Sequence, residues 1–154
     1  MQPYNNPKLD SLAVSLFKEF ARFEYALKAA NFHSGDGDAD PNWRRFALSI
    51  EDSIANPQSP GLRKAVEYML AHPPKKQVVR HGLLAWDVAV PTTDSRADLV
   101  LLYVRRVRNN LFHGGKFNGH WFEPERSEEL LHHSLVILDA CLAASSDVRE
   151  AYNQ

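Results

Sequence analysis

The sequence predicts an all-α protein: a single domain over residues 1–154, in which four to five helices surround a core at about 8–146. Apolar residues recur at steps of three and four in several separate segments, which is the period of one helical face. Asparagine, serine, proline and glycine stand where these segments begin and end. Hydrophobic residues fill 44% of the 154 positions, enough for one core without a disulfide or a structural metal.

Capping residues and helix breakers set the bounds of the predicted helices. Asparagine and serine accept hydrogen bonds from the first backbone N–H groups of a helix, proline suits its first turn, and glycine suits its end. In chain order, the sequence predicts helices from Lys8 to Asn31, from a cap at Asn42 to about Ala55, from Ser59 to His72, from a cap at Asp94 or Ser95 to a stop at Gly114–Gly115, and from Pro124 to about Ala144.

Two longer connections join these helices. The segment from Asn31 to Pro41 is rich in turn formers, but it lacks the glycine and the glutamate that an EF-hand calcium loop requires. The segment from Lys75 to Thr93 has no clean period, so we expect an irregular connection with a short helix or extended piece that lays Trp86 over the bundle. A long connection in a small domain tends to cover something, so it is also a candidate wall of a site.

The composition restricts where the protein acts and what it contacts. The formal net charge is −1, so any contact with nucleic acid must be local. Cys141 is the only cysteine, which favours a reducing cytoplasm and an inert position in the core. The polar segment Met1–Asp10 lacks the pattern of a signal peptide, and no apolar stretch reaches the length of a membrane span. We therefore expect a soluble, cytoplasmic protein.

The stretch from Tyr103 to Lys116 combines an apolar helical row with a group of polar residues suited to RNA chemistry. Arg108 offers phosphate a planar fork of donors, and His113 can move protons near neutral pH. Residues five apart on a regular helix point about 140° away from each other. A site that uses both side chains of one chain therefore requires the helix to fray or end around Asn110 to Phe112, as Gly114 and Gly115 permit.

The segment Arg108-Asn109-Asn110-Leu111-Phe112-His113-Gly114 resembles the motif of the HEPN superfamily: an arginine, usually a polar residue after it, and a histidine beyond four to six intervening positions. The longer segment to Lys116 looks most like that of small stand-alone bacterial and plasmid-borne HEPN proteins. The resemblance implies an up-and-down bundle of four to five helices. It also implies a metal-independent endoribonuclease of a toxin–antitoxin or phage-defence system, without a cofactor.

The resemblance further implies a homodimer in which two motifs face one cleft. The ribose 2′-hydroxyl would attack the adjacent phosphate and leave 2′,3′-cyclic phosphate and 5′-hydroxyl ends, with one histidine from each chain for the two proton transfers. The expected roles are catalysis for Arg108, Asn109 and His113, binding of RNA phosphates for Arg105, Arg106 and Lys116, and support of the site for Glu24 and Asn110.

Several alternatives remain open at this stage. Glu24 at the core edge needs a partner, either Lys28 one turn on or an arginine of the motif helix. HEPN toxins that pair with nucleotidyltransferase antitoxins resemble one another in a tyrosine two residues after the histidine, where this chain has Gly115. An antitoxin or regulatory partner would then act by other means.

The contrasting functions are a catalytically inactive module that binds RNA or a nucleotide or only dimerises, and a purely structural helical adaptor.

Overall fold

Side-chain caps begin most of the helices, as the sequence predicts. The structure is a computed structural model that describes residues 6–114 and 123–154. Its elements are α1 (Pro7–Ala29), α2 (Trp43–Ser49), α3 (Glu51–Ala55), α4 (Pro60–Ala71), β1 (Lys76–Arg80), β2 (Leu83–Asp87), α5 (Arg96–Phe112), α6 (Pro124–Ala144) and α7 (Ser146–Tyr152). The hydroxyls of Ser59 and Ser95 accept hydrogen bonds from the N–H groups of Leu62 at 3.1 Å and Asp98 at 3.0 Å. The third and fourth predicted helices, which are α4 and α5 in the structure, therefore begin where the sequence places them.

The core lies between α1, α4, α5 and α6. Helix α1 packs against α6 and α7, α4 against α6, and α2 and α3 against α5. The ring of Trp43 stacks on Phe23 with centroids 5.4 Å apart, and Phe46 meets Phe23 edge-on at the same distance. A mostly helical single domain with one contiguous core is therefore confirmed. Within the described ranges, no helix is long and apolar enough to cross a membrane.

The predicted second helix is two helices, because the chain turns at Ile50. The Ile50 N–H reaches back only three residues, to the carbonyl of Ala47, and its backbone has φ −117° and ψ 18°. The hydroxyl of Ser49 donates to the carbonyl of Phe46 at 2.6 Å, which competes with the regular helical bonds. Ile50 itself is buried, so the turn keeps its side chain in the core.

The segment predicted as an irregular connection contains a β-hairpin, which corrects the strictly all-α expectation. Strands β1 and β2 pair antiparallel, with Arg80 opposite Leu83 at the closed end. The loop residues His81 and Gly82 both have positive φ, 51° and 75°, the conformation of the two-residue turns that match strand twist. Trp86 lies in β2, in agreement with the extended alternative.

A seventh helix, α7, extends the core beyond the predicted end at about 146. Val148 and Ala151 are buried, and Ser145 caps the helix through the N–H of Val148. The hydroxyl of Tyr152 donates to Glu19 of α1, and Arg22 of α1 donates to the Tyr152 carbonyl at 2.9 Å. These bonds fasten α7 to α1.

The carboxylate of Glu51 in α3 holds the first turn of α5. It accepts hydrogen bonds from the hydroxyl of Ser95 at 2.5 Å and from the N–H groups of Arg96 at 3.0 Å and Ala97 at 3.1 Å. The first N–H groups of a helix have no partner within it, and a negative charge there also favours the helix dipole. One side chain therefore satisfies three donors and fixes where α5 begins relative to α3.

We expect Glu51→Ala to destabilise the protein by about 1–3 kcal/mol, because the partly buried donors of Ser95 and Ala97 at the start of α5 lose a charged acceptor. Urea unfolding followed by circular dichroism measures this change. Asp52→Ala is the matched control, because Asp52 is an exposed acid in the first turn of the same helix and makes no bond to α5. An equal loss in both variants would contradict the capping role.

His133 is a buried histidine on α6 whose environment opposes protonation. Its side chain is 4% exposed, its Nδ1 has no hydrogen-bond partner, and its Nε2 lies 2.9 Å from Glu129 Oε2. Burial lowers the pKa of His133 from the ordinary 6.5, and the nearby Glu129 carboxylate opposes this shift only in part. The folded state therefore favours the neutral imidazole.

The free energy of unfolding should therefore fall as the pH drops below about 6.5, because the unfolded chain binds a proton that folded His133 resists. The slope contributed by this one group is at most about 1.4 kcal/mol per pH unit. Denaturant unfolding at a series of pH values should show that His133→Leu removes this slope. His132→Leu is the control, because His132 is the exposed neighbour of His133 and its replacement should leave the slope unchanged. A slope that is the same in His133→Leu and in the unsubstituted protein would disprove the assignment.

Candidate functional site

The C-terminal half of α5 carries most of the predicted site residues. The helix continues through Phe112, and the N–H of His113 still donates to the Asn109 carbonyl at 2.9 Å. The chain leaves the helical direction only at Gly114, which has φ +77°. The helix thus ends at the limit of the predicted range, too late to turn His113 back. Arg108 and His113 of one chain remain about 140° apart around the axis.

A surface cavity of about 520 Å³ lies beside this half of α5. Helix α5 contributes Leu102, Arg105, Arg106, Asn109, Asn110 and His113, and β1 contributes Lys76 and Gln77. Of the described residues that line the cavity, none is acidic, whereas two are arginines, one is a lysine and one is a histidine. Such a lining attracts an anion and offers it several hydrogen-bond donors.

Arg105 is half-buried at the back of the cavity, and its Nε has no hydrogen-bond partner. Its guanidinium lies 5.7 Å from the centre of the Trp43 ring. Burial lowers the pKa of Arg105, while the carboxylates of Asp98 and Glu24 oppose that shift. The charged guanidinium of Arg105 in this lining suits an anion such as phosphate, whereas its Nε is itself buried.

Glu24 has a partner that the sequence did not suggest. Its Oε2 accepts a hydrogen bond of 3.1 Å from the indole Nε1 of Trp43. Neither Lys28 nor Arg108 is its hydrogen-bond partner in the described part of the chain; the motif-helix arginine that feels its charge is Arg105. Glu24 therefore orients the indole on which Arg105 rests and partly offsets the charge of that arginine.

Arg106 and Asn110 hold the start of the hairpin against α5. Arg106 Nη1 donates to the carbonyl of Pro74 at 3.3 Å, and Asn110 Nδ2 donates to the carbonyl of Lys75 at 2.7 Å. Asn110 is buried, with 6% of its surface exposed, which makes this bond costly to lose. Asn110 thus supports the site through the backbone of the following strand. Arg106 likewise binds the backbone before β1, at Pro74, and its residue also lines the cavity.

Arg108 lies outside the residues that line the cavity. Its guanidinium lies over the rings of Phe20 at 5.3 Å and Phe112 at 4.6 Å, and its Nη1 donates to Asn109 Oδ1 at 3.0 Å. Asn109 also lines the cavity, so it connects the two positions. The structure therefore brings Arg105, Arg106, Asn109, Asn110 and His113 together and leaves Arg108 on the adjacent face.

An exposed aromatic pair stands next to Arg108. Phe17 of α1 and Phe112 stack with centroids 5.4 Å apart, although they are 49% and 47% exposed. Val14, one turn before Phe17, is also exposed. Large apolar side chains grouped on a surface commonly mark a contact with another molecule. We call Val14, Phe17 and Phe112 the aromatic patch.

Lys76 and Gln77 line the cavity and Trp43 lies beside Arg105, and the sequence predicted none of the three there. The only signal for Lys76 and Gln77 was the expectation that the connection from Lys75 to Thr93 covers a site. Lys116 lies outside the described residues. Among residues 6–114 and 123–154, no group of three or more His, Cys, Asp or Glu side chains is arranged to hold a metal ion.

Comparison of the chain with models of protein families, with curated proteins and with solved structures finds no match. The resemblance to the HEPN superfamily continues to rest on the residues from Arg108 to Gly114.

Proposed function

We propose that the protein is a homodimeric HEPN-like endoribonuclease that cuts RNA without a metal and acts in a toxin–antitoxin or phage-defence system. The observation that carries this proposal is the cavity that joins His113 to several cationic and amide side chains without a carboxylate. RNA supplies the matching partner, a phosphodiester next to a nucleophilic 2′-hydroxyl. The motif from Arg108 to Gly114 supplies the link to the family.

The chemistry assigned to the cavity is transfer of the phosphoryl group to the 2′-oxygen. A base removes the 2′-hydroxyl proton as that oxygen bonds to phosphorus, and an acid protonates the departing 5′-oxygen, so that 2′,3′-cyclic phosphate and 5′-hydroxyl ends result. Histidine suits both transfers near neutral pH. Guanidinium groups stabilise the charge that develops on the phosphoryl oxygens.

A second copy of the chain completes this arrangement. One His113 cannot be base and acid in the same step, and Arg108 lies on the face next to the cavity of its own chain. If two copies met along the aromatic patch with their motifs facing one cleft, Arg108 and His113 of both chains would serve the same phosphate, and the two histidines would be the base and the acid. An isologous contact buries the same patch on both copies, which gives Phe17 and Phe112 a partner.

We expect the purified protein to cleave single-stranded RNA in EDTA, and His113→Ala and Arg108→Ala each to slow cleavage by about 100-fold or more. Gel electrophoresis measures the rate, and mass spectrometry identifies the ends of the products. His132→Ala is the matched control, because the exposed His132 follows Arg126 with a spacing that also fits the motif. Thermal melting of each variant reports whether it is folded.

The outcome of this experiment separates the candidate functions. RNA that is bound but remains intact would favour a catalytically inactive binding module. RNA that is neither bound nor cut would favour a structural adaptor. Equal loss of activity in His132→Ala and His113→Ala would overturn the assignment of the motif.

Mixed dimers test whether the site is composite. When the unsubstituted protein and the double variant Arg108→Ala/His113→Ala are refolded together in equal amounts, random pairing makes about a quarter of the dimers fully native. A cleft that needs both chains should then retain about a quarter of the activity, whereas independent sites would retain about half. The matched mixture uses His132→Ala in place of the double variant, and there full activity is expected.

A further inference from the structure

Among the described residues, the side-chain hydrogen bonds from α5 to the hairpin lie at its root. The carbonyls of Pro74 and Lys75 accept hydrogen bonds from Arg106 and Asn110, as described above. Beyond this root, Val79 and Leu84 are 67% and 74% exposed, so the distal part of the hairpin has little contact with the bundle. The buried bond from Asn110 therefore determines where the first residues of β1 lie.

Those first residues, Lys76 and Gln77, form the wall of the cavity opposite α5. Arg105 and His113 of α5 line the same cavity. A lysine ammonium attracts phosphate as a compact point charge, while a glutamine amide both donates and accepts hydrogen bonds. The wall thus adds a cation and a polar group, supplied by a strand, to the arginines and the histidine of the helix.

We propose that Lys76 and Gln77 bind RNA, with Lys76 holding a phosphate next to the one that is cut and with Asn110 as the positioning residue that keeps this wall in place. The inference rests on the proposed function for the identity of the ligand. Because α5 and β1 both line the cavity, it can hold the RNA backbone at two phosphates at once. The contact with the second phosphate strengthens binding equally before and during the reaction, so its loss raises KM and leaves kcat nearly unchanged.

The test measures binding and turnover separately for Lys76→Ala. Fluorescence anisotropy with a 2′-O-methyl RNA, which cannot be cut, should show a Kd increased by about 3- to 10-fold. The slope of log K against log salt should fall by about 0.7, the value for one phosphate contact on a single strand. With cleavable RNA, KM should rise while kcat stays within about 2-fold of the native value, and Lys76→Arg should restore KM.

Lys75→Ala is the matched control, because Lys75 is the adjacent lysine and its side chain lines a different cavity. Its carbonyl, which Asn110 binds, remains in the variant. We expect its Kd and its salt slope to be native. Equal weakening in both variants would overturn the inference in favour of general electrostatic attraction. Asn110→Ala should reproduce the rise in KM if the root positions the wall.

The remaining outcomes separate this inference from the proposed function. If the native protein binds RNA but does not cut it, and Lys76→Ala binds more weakly, the nuclease assignment is wrong and the role of Lys76 in RNA binding is supported. If RNA is cut and Lys76→Ala behaves as the native protein does, the inference about Lys76 is wrong and the nuclease assignment is supported. If the native protein binds no RNA, both fail.

Discussion

The position of α5 depends on the carboxylate of Glu51. This one side chain accepts hydrogen bonds from the hydroxyl of Ser95 and from two backbone N–H groups at the start of the helix. From that point α5 runs 17 residues, about 25 Å, to the proposed site at its other end. Because a helix transmits a change of angle at one end to the other, the contact with α3 contributes, together with the packing of α5 against α2, α4 and α6, to where His113 and the cavity lie. Asp98 strengthens the same end by accepting from Arg44 and Thr93.

The proposed site also depends on a balance of charge around Arg105. Removing a guanidinium from water is costly, and here the charges of Asp98 and Glu24 offset part of that cost. Neither carboxylate forms a salt bridge with Arg105 in the described residues. The arginine is therefore held in place by packing on Trp43 and long-range attraction while its Nε donor stays unused. This arrangement differs from a structural ion pair, in which all the strong donors would already be occupied.

Much of the fold could be predicted from the sequence because its helices carry both an apolar period and explicit caps. Ser59 and Ser95 show this most clearly. The hairpin was missed because its turn uses His81 and Gly82, whereas two-residue turns are usually recognised by asparagine or aspartate before glycine. The break at Ile50 was hidden because the row from Trp43 to Ile54 keeps a helical period across it. Helix α7 has only 7 residues, about two turns, so its pattern is too short to recognise.

The candidate site was predictable on the helix but not across to the hairpin. The spacing of Arg108 and His113 already implied that the two side chains diverge on a regular helix, and the helix does continue through Phe112. Lys76 and Gln77 could not be placed, because their position depends on the bond from Asn110 to a carbonyl 35 residues earlier. Glu24 and Trp43, 19 residues apart, likewise meet only through packing. Such pairings leave no periodic signal in a single sequence.

The attachment of the hairpin at its root alone has a consequence for how the protein could diversify. The closed end at His81 and Gly82 lies beyond the contacts with Arg106 and Asn110, so residues inserted or exchanged there leave the bundle and the cavity unchanged. Under the proposed function, the root sets where a bound RNA passes, while Val79 and Leu84 farther out in the hairpin are exposed. Variation of this arm would then change which RNA shapes are accepted while the residues assigned to catalysis stay in place.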